Sequence, residues 1–234
     1  MRRRIVIGPD TKILRLGGRP PRATTALLAV QGALFLLYVF ANGPAWIREH
    51  LALSTAQALG RLELWQPLTA LWLHLEPRGL FLDLVVLWIF GPPLERWWGG
   101  RRMATFYVVT GVAGLVTAML LGLWWPHQLV FGSAGSSMGL ALAAAVLFPA
   151  YLAHLYRLLG VAVHWLAYGL IAFAVLGSLF AAAWLDAAVQ LGGLGCAWLL
   201  LHTLRRLVAG TKVGATKRRL KVVDSKVKSG GYLN

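Results

Sequence analysis

A succession of long apolar runs, separated by short polar or glycine–proline breaks, limits the fold of this chain more than any other feature. A helix needs about 20 mostly apolar residues to cross the hydrocarbon layer of a membrane. Of the 234 residues, 58% are hydrophobic and only 13% are charged, whereas a soluble domain carries about 25% charged residues. The sequence therefore predicts an all-α integral membrane protein.

Six of the runs are suited to membrane spans, and we place them at 26–42, 77–90, 103–123, 134–151, 161–185 and 187–208. The second run is expected to end at Gly91-Pro92-Pro93, because proline removes a backbone donor and interrupts a helix. The stretch 45–76 mixes tryptophans with charged residues, a pattern typical of helices that lie at the membrane surface. We expect a bundle of six transmembrane helices whose fourth helix is short and starts inside the membrane.

Lysine and arginine are distributed unequally between the two sides of this predicted bundle. One side receives seven before the first run, nine at or after the end of the last run, and four in two loops, which makes 20 of the 23. Loops rich in these residues stay in the cytoplasm, so we expect both termini there. The expected organisation is a basic segment at 1–25, a membrane domain at 26–208 and a basic, disordered tail at 209–234, in a bacterial inner or plasma membrane.

The net charge of +15 also occurs in proteins that bind nucleic acid, but here the charge flanks apolar spans. We therefore expect no nucleic acid and instead anionic lipid headgroups at the basic termini. The six histidines show no spacing typical of metal ligands, and the single cysteine, Cys196, cannot form a disulfide within one chain. We expect no metal and no cofactor.

Five short motifs follow one another between residues 51 and 201. They are WQPLTALWLH at 65–74, LWIFGPPLER at 87–96, GGRR at 99–102 followed by Tyr107, Thr110-Gly111 and Gly114, GSAGSSMGL at 132–140, and VQLGG at 189–193. In this order, and with six spans in this orientation, the motifs resemble the rhomboid family. The resemblance implies a rhomboid-like six-helix bundle and, in active members, an intramembrane serine endopeptidase.

The resemblance also implies where the chemistry of active members takes place. A serine at the start of the fourth span attacks a backbone carbonyl, a histidine in the sixth span takes its proton, and a histidine and an asparagine of the second span help to hold the oxyanion. In this chain the nucleophile position is Ala134 and the base position is Gln190. The oxyanion histidine position is Gly79 and the asparagine position is Asp83. A methyl group cannot attack a carbonyl, an amide cannot take a proton, and a carboxylate repels a developing negative charge, so we expect no catalytic residue.

The structural positions of the family are retained, namely His74, Gly132, Gly135, Gly139 and Gly193. Small residues allow helices to approach closely in lipid. A helical bundle that keeps these positions but lacks the catalytic residues resembles the inactive rhomboids and the derlins. The resemblance implies a pseudoprotease that binds the transmembrane segments of client proteins without cleaving them. We expect a client-binding cavity lined by Ser133, Ser136, Ser137, Met138, Asp83 and Gln190.

Two alternatives remain open. The first is an intramembrane serine protease with a displaced nucleophile such as Ser133. One residue turns a side chain by about 100° on a helix, so Ser133 is expected to point away from the family's cavity and to lack a base; the serines more simply cap the helix or bond to the backbone. His74 and Asp83, nine residues apart, are expected to lie beyond easy contact. The second alternative is a small membrane transporter, for which the sequence shows no inverted repeat.

Asp83 is the most informative of these residues. A charge at the centre of a span costs about 2.5–3.5 kcal/mol on insertion scales, so such a residue must face the interior of the bundle and have a partner, or else be protonated. We expect the amide of Gln190 to be that partner, in a hydrogen bond across the former active site. A proton or ion path through Asp83 is the functional alternative.

Overall fold

The computed structural model describes residues 21–147 and 163–203. The helices in these two stretches are α1 (Arg22–Phe40), α2 (Ala45–Leu51), α3 (Thr55–Gly60), α4 (Gln66–Ala70), α5 (Pro77–Trp98), α6 (Gly100–Leu121), α7 (Ala134–Leu147), α8 (Val163–Phe180) and α9 (Trp184–Thr203). Two strands of two residues each, β1 (Leu53–Ser54) and β2 (Leu129–Val130), pair in antiparallel fashion. The predicted helical class is confirmed, and the strand pair is an addition to it.

Four of the described helices are long and apolar enough to cross a membrane, namely α1, α5, α6 and α9. The apolar helices α7 and α8 are shorter. The predicted end of the fourth span and the predicted start of the fifth fall on 148–162, outside the described residues. Most of the predicted N-terminal segment and of the basic tail also lies outside them. The count of six spans and the cytoplasmic termini therefore stay predictions.

The prediction that the second span ends at Gly91-Pro92-Pro93 is wrong, because α5 continues through these residues to Trp98. Proline deprives a helix of one backbone hydrogen bond, yet in membrane helices neighbouring helices compensate for the loss. Gly91 is in close contact with α1: a Cβ on this glycine would lie 3.0 Å from the Thr24 side chain. The packing of α1 against α5 thus holds the helix across its two prolines.

Glu95 follows the two prolines and fixes the start of α1 to the end of α5. Its Oε1 accepts a hydrogen bond from the Ala23 N–H (2.8 Å), and its Oε2 accepts from the N–H (2.7 Å) and the hydroxyl (2.8 Å) of Thr24. The first N–H groups of a helix have no partner within it, and Pro21 at the N-cap offers no side-chain hydrogen bond. Glu95 therefore caps α1 from another helix.

The predicted boundary between the fifth and sixth spans is also wrong. The fifth span is predicted at 161–185, but α8 ends at Phe180 and α9 begins at Trp184. The turn between them has Ala182 at φ +54°, a left-handed conformation that alanine rarely adopts. Because the turn consists of three alanines, hydropathy gave no sign of it.

The stretch 45–76 folds into the short helices α2, α3 and α4, as its pattern predicted, and it also contributes β1. The buried Gln66 holds it together: its Oε1 accepts from the Ser54 N–H (2.9 Å), and its Nε2 donates to Glu63 Oε2 (2.7 Å). The position of these helices at a membrane surface stays a prediction.

The core lies where α6 and α7 pack against each other and against α5. Its larger buried side chains include Leu87 and Phe90 from α5, Tyr107 from α6 and Leu140 from α7. A second apolar cluster, with Leu53, Leu71, Leu115 and Val189 among its members, lies next to the strand pair. The start of α7 is thereby enclosed by packed elements, which positions the site.

Candidate functional site

Asp83 lies at the centre of a buried polar network inside the bundle. Its side chain projects from α5 and is only 7% exposed. Oδ2 accepts hydrogen bonds from the backbone N–H (3.0 Å) and the hydroxyl (2.8 Å) of Ser133 and lies 3.1 Å from His74 Nε2. Oδ1 accepts from the Ser137 hydroxyl (2.8 Å). All four contacts come from outside α5, so this carboxylate joins the start of α7 and the segment before α5 to one point.

The chain enters α7 through a glycine turn that directs the Ser133 N–H towards Asp83. Gly132 has φ +96°, a left-handed conformation that glycine adopts at little cost, and its N–H donates to the Ala70 carbonyl (2.9 Å). The Ser133 carbonyl then accepts from the Ser137 N–H (2.9 Å). The N-terminus of a helix carries a partial positive charge that favours a nearby anion. Asp83 is thus an N-terminal cap of α7 supplied by α5.

The expectation that His74 and Asp83 lie beyond easy contact is wrong. It assumed that both residues belong to one helix, but α5 begins at Pro77 and His74 precedes it. The chain changes direction between them, and the ring, only 3% exposed, reaches the carboxylate.

The expected hydrogen bond between Asp83 and Gln190 is also wrong. The Gln190 amide nitrogen donates to the Ser178 hydroxyl of α8 at 3.0 Å. Asp83 is already surrounded by donors from α7 and His74, and a carboxylate has about four acceptor positions. Gln190 Oε1 is buried and has no hydrogen-bond partner among the described residues, so the Ser178 contact is the one hydrogen bond described for this side chain.

The serines expected to line a client-binding cavity are packed inside the protein instead. Ser133, Ser136 and Ser137 are fully buried, and Met138 is 6% exposed. The Ser136 hydroxyl donates to the Tyr107 carbonyl of α6 (2.6 Å), away from Asp83. Each hydroxyl has a protein partner, so the three serine side chains are committed to contacts within the protein.

Two of the positions that the resemblance assigns to chemistry carry no polar side chain. Ala134 is the first residue of α7, partly exposed, and packs against the second apolar cluster. Gly79 is exposed in the first turn of α5, and a Cβ added there would meet nothing within 4 Å. It lies four residues before Asp83, one turn away on the same face of the helix.

The glycines of the motifs act as contact points between helix backbones. A Cβ on Gly193 of α9 would lie 2.3 Å from the Gly135 carbonyl oxygen of α7, and one on Gly114 of α6 would lie 2.3 Å from the Val189 carbonyl oxygen. A Cβ on Gly139 would meet Thr110 at 3.0 Å. Side chains at the first two positions would overlap backbone, so α6, α7 and α9 can pack this closely only with glycine there.

Two members of the polar network were missed as site residues. Gln31 of α1 is fully buried, and its Nε2 contacts the hydroxyl of the fully buried Tyr107 and lies 3.3 Å from Ser133 Oγ. The network therefore extends from His74 through Asp83 and Ser133 to α1 and α6. A glutamine inside an apolar run of the first span was the available signal, since polar groups in membrane helices face partners. Tyr107 belongs to one of the family motifs, but the motif alone does not indicate its place in the network.

The chemistry open to this arrangement is limited. A serine hydrolase places a histidine next to the nucleophile and an acid behind the histidine, whereas here Asp83 lies between Ser133 and His74. Within 21–147 and 163–203, no three His, Cys, Asp or Glu side chains are grouped as a metal site requires. The network is suited to holding together the four helices α1, α5, α6 and α7 and the segment before α5.

Comparison with known proteins agrees with the motifs. A family model of the rhomboid domain matches residues 61–207, which is more than half of the chain. RHOMBOID-like protein 6, mitochondrial, from Arabidopsis thaliana is 30% identical over 96 residues, a stretch that covers 37% of this chain and 30% of that protein. The motifs and the family model agree, and the chain belongs to the rhomboid family.

Proposed function

We propose that this chain is a non-catalytic rhomboid that binds transmembrane segments of client membrane proteins and leaves them intact. The observation that carries the proposal is the Asp83 carboxylate, which accepts the hydrogen bonds of Ser133, Ser137 and His74 at an oxyanion position of the family. Donors occupied by a fixed negative charge are not available to a developing one, and catalysis of acyl transfer depends on such donors.

The nucleophile and base positions support the same conclusion. Ala134 offers a methyl group at the start of α7, and the Gln190 amide is engaged with Ser178. Neither group can exchange a proton with a substrate. The glycine contacts between α6, α7 and α9 are retained. The helix packing is therefore kept although the chemical positions of the family are changed.

Client segments would contact surfaces other than the buried serines. The outer face of α8 carries exposed large apolar side chains, among them Trp165, Phe173 and Phe180. Helices in lipid associate through close packing and hydrogen bonds. A client helix would pack along α8 next to α7, whose first residue, Ala134, is partly exposed.

A cleavage assay tests the absence of catalysis. The purified protein is incubated in detergent with a generic transmembrane substrate, next to the variants Ala134→Ser/Gln190→His and Ala134→Ser/Gln190→His/Asp83→Asn. We expect no product from the unaltered protein, and none from the double variant, because the double variant keeps the Asp83 carboxylate. The triple variant lacks this carboxylate and shows whether its removal allows cleavage. Product from the unaltered chain would overturn the proposal, and product from the double variant would show that Asp83 does not block the reaction.

Crosslinking tests client binding. A photoreactive residue replaces Ala134, and in a matched control it replaces Val30, which is exposed on α1. We expect crosslinks to the transmembrane segment of a co-expressed single-span protein from position 134 well above those from position 30. Equal yields from both positions would indicate random encounters in the membrane and would contradict the proposal.

One observation favours a second candidate, a protease that uses Ser133. Its hydroxyl donates to Asp83 Oδ2 at 2.8 Å, and a carboxylate can act as a general base. Against it, Ser133 is fully buried and its hydrogen bonds are committed within the protein. A fluorophosphonate probe separates the two candidates: labelling that Ser133→Ala abolishes and Ser136→Ala leaves unchanged would establish the protease.

A further inference from the structure

We propose that the turn between α5 and α6, together with the start of α1, binds the phosphate of an anionic phospholipid headgroup. The surface, which we call the arginine surface, consists of Arg22, Arg101 and Arg102, with Trp97 at its edge. The three arginines are exposed, and the tryptophan is 55% exposed. None of these residues belongs to the polar network of Asp83, so the inference is independent of the proposed function.

The fold brings arginines that are distant in sequence to one place. A Cβ on Gly100, the first residue of α6, would lie 3.0 Å from the Ala23 Cβ of α1. Arg22 precedes Ala23, and Arg101 follows Gly100. The starts of α1 and α6 therefore touch, and the first turn of each helix carries exposed arginine.

The one acidic residue among 21–25 and 92–102 does not face this surface. Glu95 is 9% exposed, and its two oxygens accept the hydrogen bonds of Ala23 and Thr24 at the start of α1. The negative charge of Glu95 is thus directed at the start of α1 and not at the arginine surface. The arginine surface keeps a local excess of positive charge, which an anion from outside can balance.

The position of the surface identifies the source of that anion. α1, α5 and α6 each have the length and hydropathy of a membrane span, and a single residue, Gly99, separates α5 from α6. A turn this short between two spans must lie at the level of the headgroups, where tryptophan is also enriched. The guanidinium group binds phosphate through two parallel hydrogen bonds. A phosphatidylglycerol-type headgroup offers this phosphate without the positive charge of a zwitterionic lipid.

The test is thermal unfolding of the full-length protein in a non-ionic detergent with added phosphatidylglycerol or phosphatidylcholine. A ligand that binds only the folded state raises the unfolding temperature, and we expect a rise of about 3 °C with phosphatidylglycerol at ten times its Kd. The variant Arg22→Gln/Arg101→Gln/Arg102→Gln should lose most of this rise. The matched control Lys217→Gln/Arg218→Gln/Arg219→Gln removes the same charge from the tail and should keep it.

Three outcomes would overturn the proposal: an equal rise with phosphatidylcholine, a full rise in the arginine variant, or an equal loss in the tail control. An equal rise with inorganic phosphate would also overturn it, because the anion would then not be a lipid. Should the triple variant fail to fold, Arg101→Gln alone is measured by native mass spectrometry. Fewer retained phosphatidylglycerol molecules than in the unaltered chain support the site, and an unchanged number contradicts it.

Discussion

Asp83 and Glu95 are two carboxylates on the same helix, and each caps the start of another helix. Asp83 holds α7 and Glu95 holds α1, and both side chains are nearly buried, at 7% and 9% exposure. Twelve residues separate them, which corresponds to about 18 Å along α5. The same physical solution, an anion at a helix N-terminus, thus appears at two ends of one helix.

Their partners differ. Glu95 binds two neighbouring residues of α1, mostly through backbone N–H groups. Asp83 draws together three side chains from two segments, the start of α7 and the stretch before α5, and occupies a position that the family resemblance assigns to oxyanion binding. At one end of α5 the carboxylate of Glu95 only joins helices, whereas at the other end the carboxylate of Asp83 also occupies a position that the resemblance assigns to the oxyanion.

The largest effect is expected for Asp83→Leu, which leaves four donors of His74, Ser133 and Ser137 without their acceptor. A buried donor without a partner costs about 1–3 kcal/mol, and some of these groups can find new partners, so we expect the free energy of unfolding to fall by about 4 kcal/mol. Reversible unfolding in mixed detergent micelles measures it, with Leu82→Ile as the control. A loss below about 1 kcal/mol would mean that the network does not stabilise the bundle.

Glu95→Leu is expected to cost less, about 3 kcal/mol, because it leaves three donors without their acceptor instead of four. Hydrogen exchange should accelerate at the Ala23 and Thr24 amides, while the Thr25 amide keeps its bond to the Pro21 carbonyl. Asp83→Leu should leave these amides unchanged. If Glu95→Leu proved the more costly substitution, the ranking of the two sites would be reversed.

Gln190→Leu tests whether the former base position takes part in this stabilisation. Its amide has one described hydrogen bond, to Ser178, and such bonds between membrane helices contribute about 0.6 kcal/mol on average. We expect a loss of that size in the same unfolding assay, matched by Ser178→Ala. A loss comparable to that of Asp83→Leu would place Gln190 in the network after all.

The smallest expected effect is the coupling between the two carboxylates. Distant sites without shared partners add within about 0.5 kcal/mol, so the double variant Asp83→Leu/Glu95→Leu should lose the sum of the single losses. A double-mutant cycle in the same detergent measures the difference. A coupling above about 1 kcal/mol would show that α5 transmits strain from one cap to the other.

Hydropathy and motifs were sufficient to predict the helical class, the family and the burial of Asp83, because a charge in an apolar run must face the interior. They could not identify its partners. His74 lies outside the helix that was assumed to contain it, and the approach of Ser133 depends on the Gly132 turn. Gln190 was paired with Asp83 only because both occupy active-site positions of the family. The cap formed by Glu95 requires contact between residues more than 70 positions apart.

Rules calibrated on soluble proteins also explain one wrong boundary. Gly91-Pro92-Pro93 would end a helix in water, where the freed carbonyls can bind solvent. Inside a membrane the cost of irregular backbone is higher, and α5 remains helical with α1 packed against it.

The two prolines lie between the two caps. Pro92 and Pro93 provide no N–H for the carbonyls of Trp88 and Ile89, so α5 resists bending least at this point. The part of α5 before the prolines is joined to α7 through Asp83, and the part after them is joined to α1 through Glu95. A bend at this point would leave both caps intact but would draw Gln31 of α1 away from Ser133, so this contact and the packing of Gly91 against Thr24 oppose it.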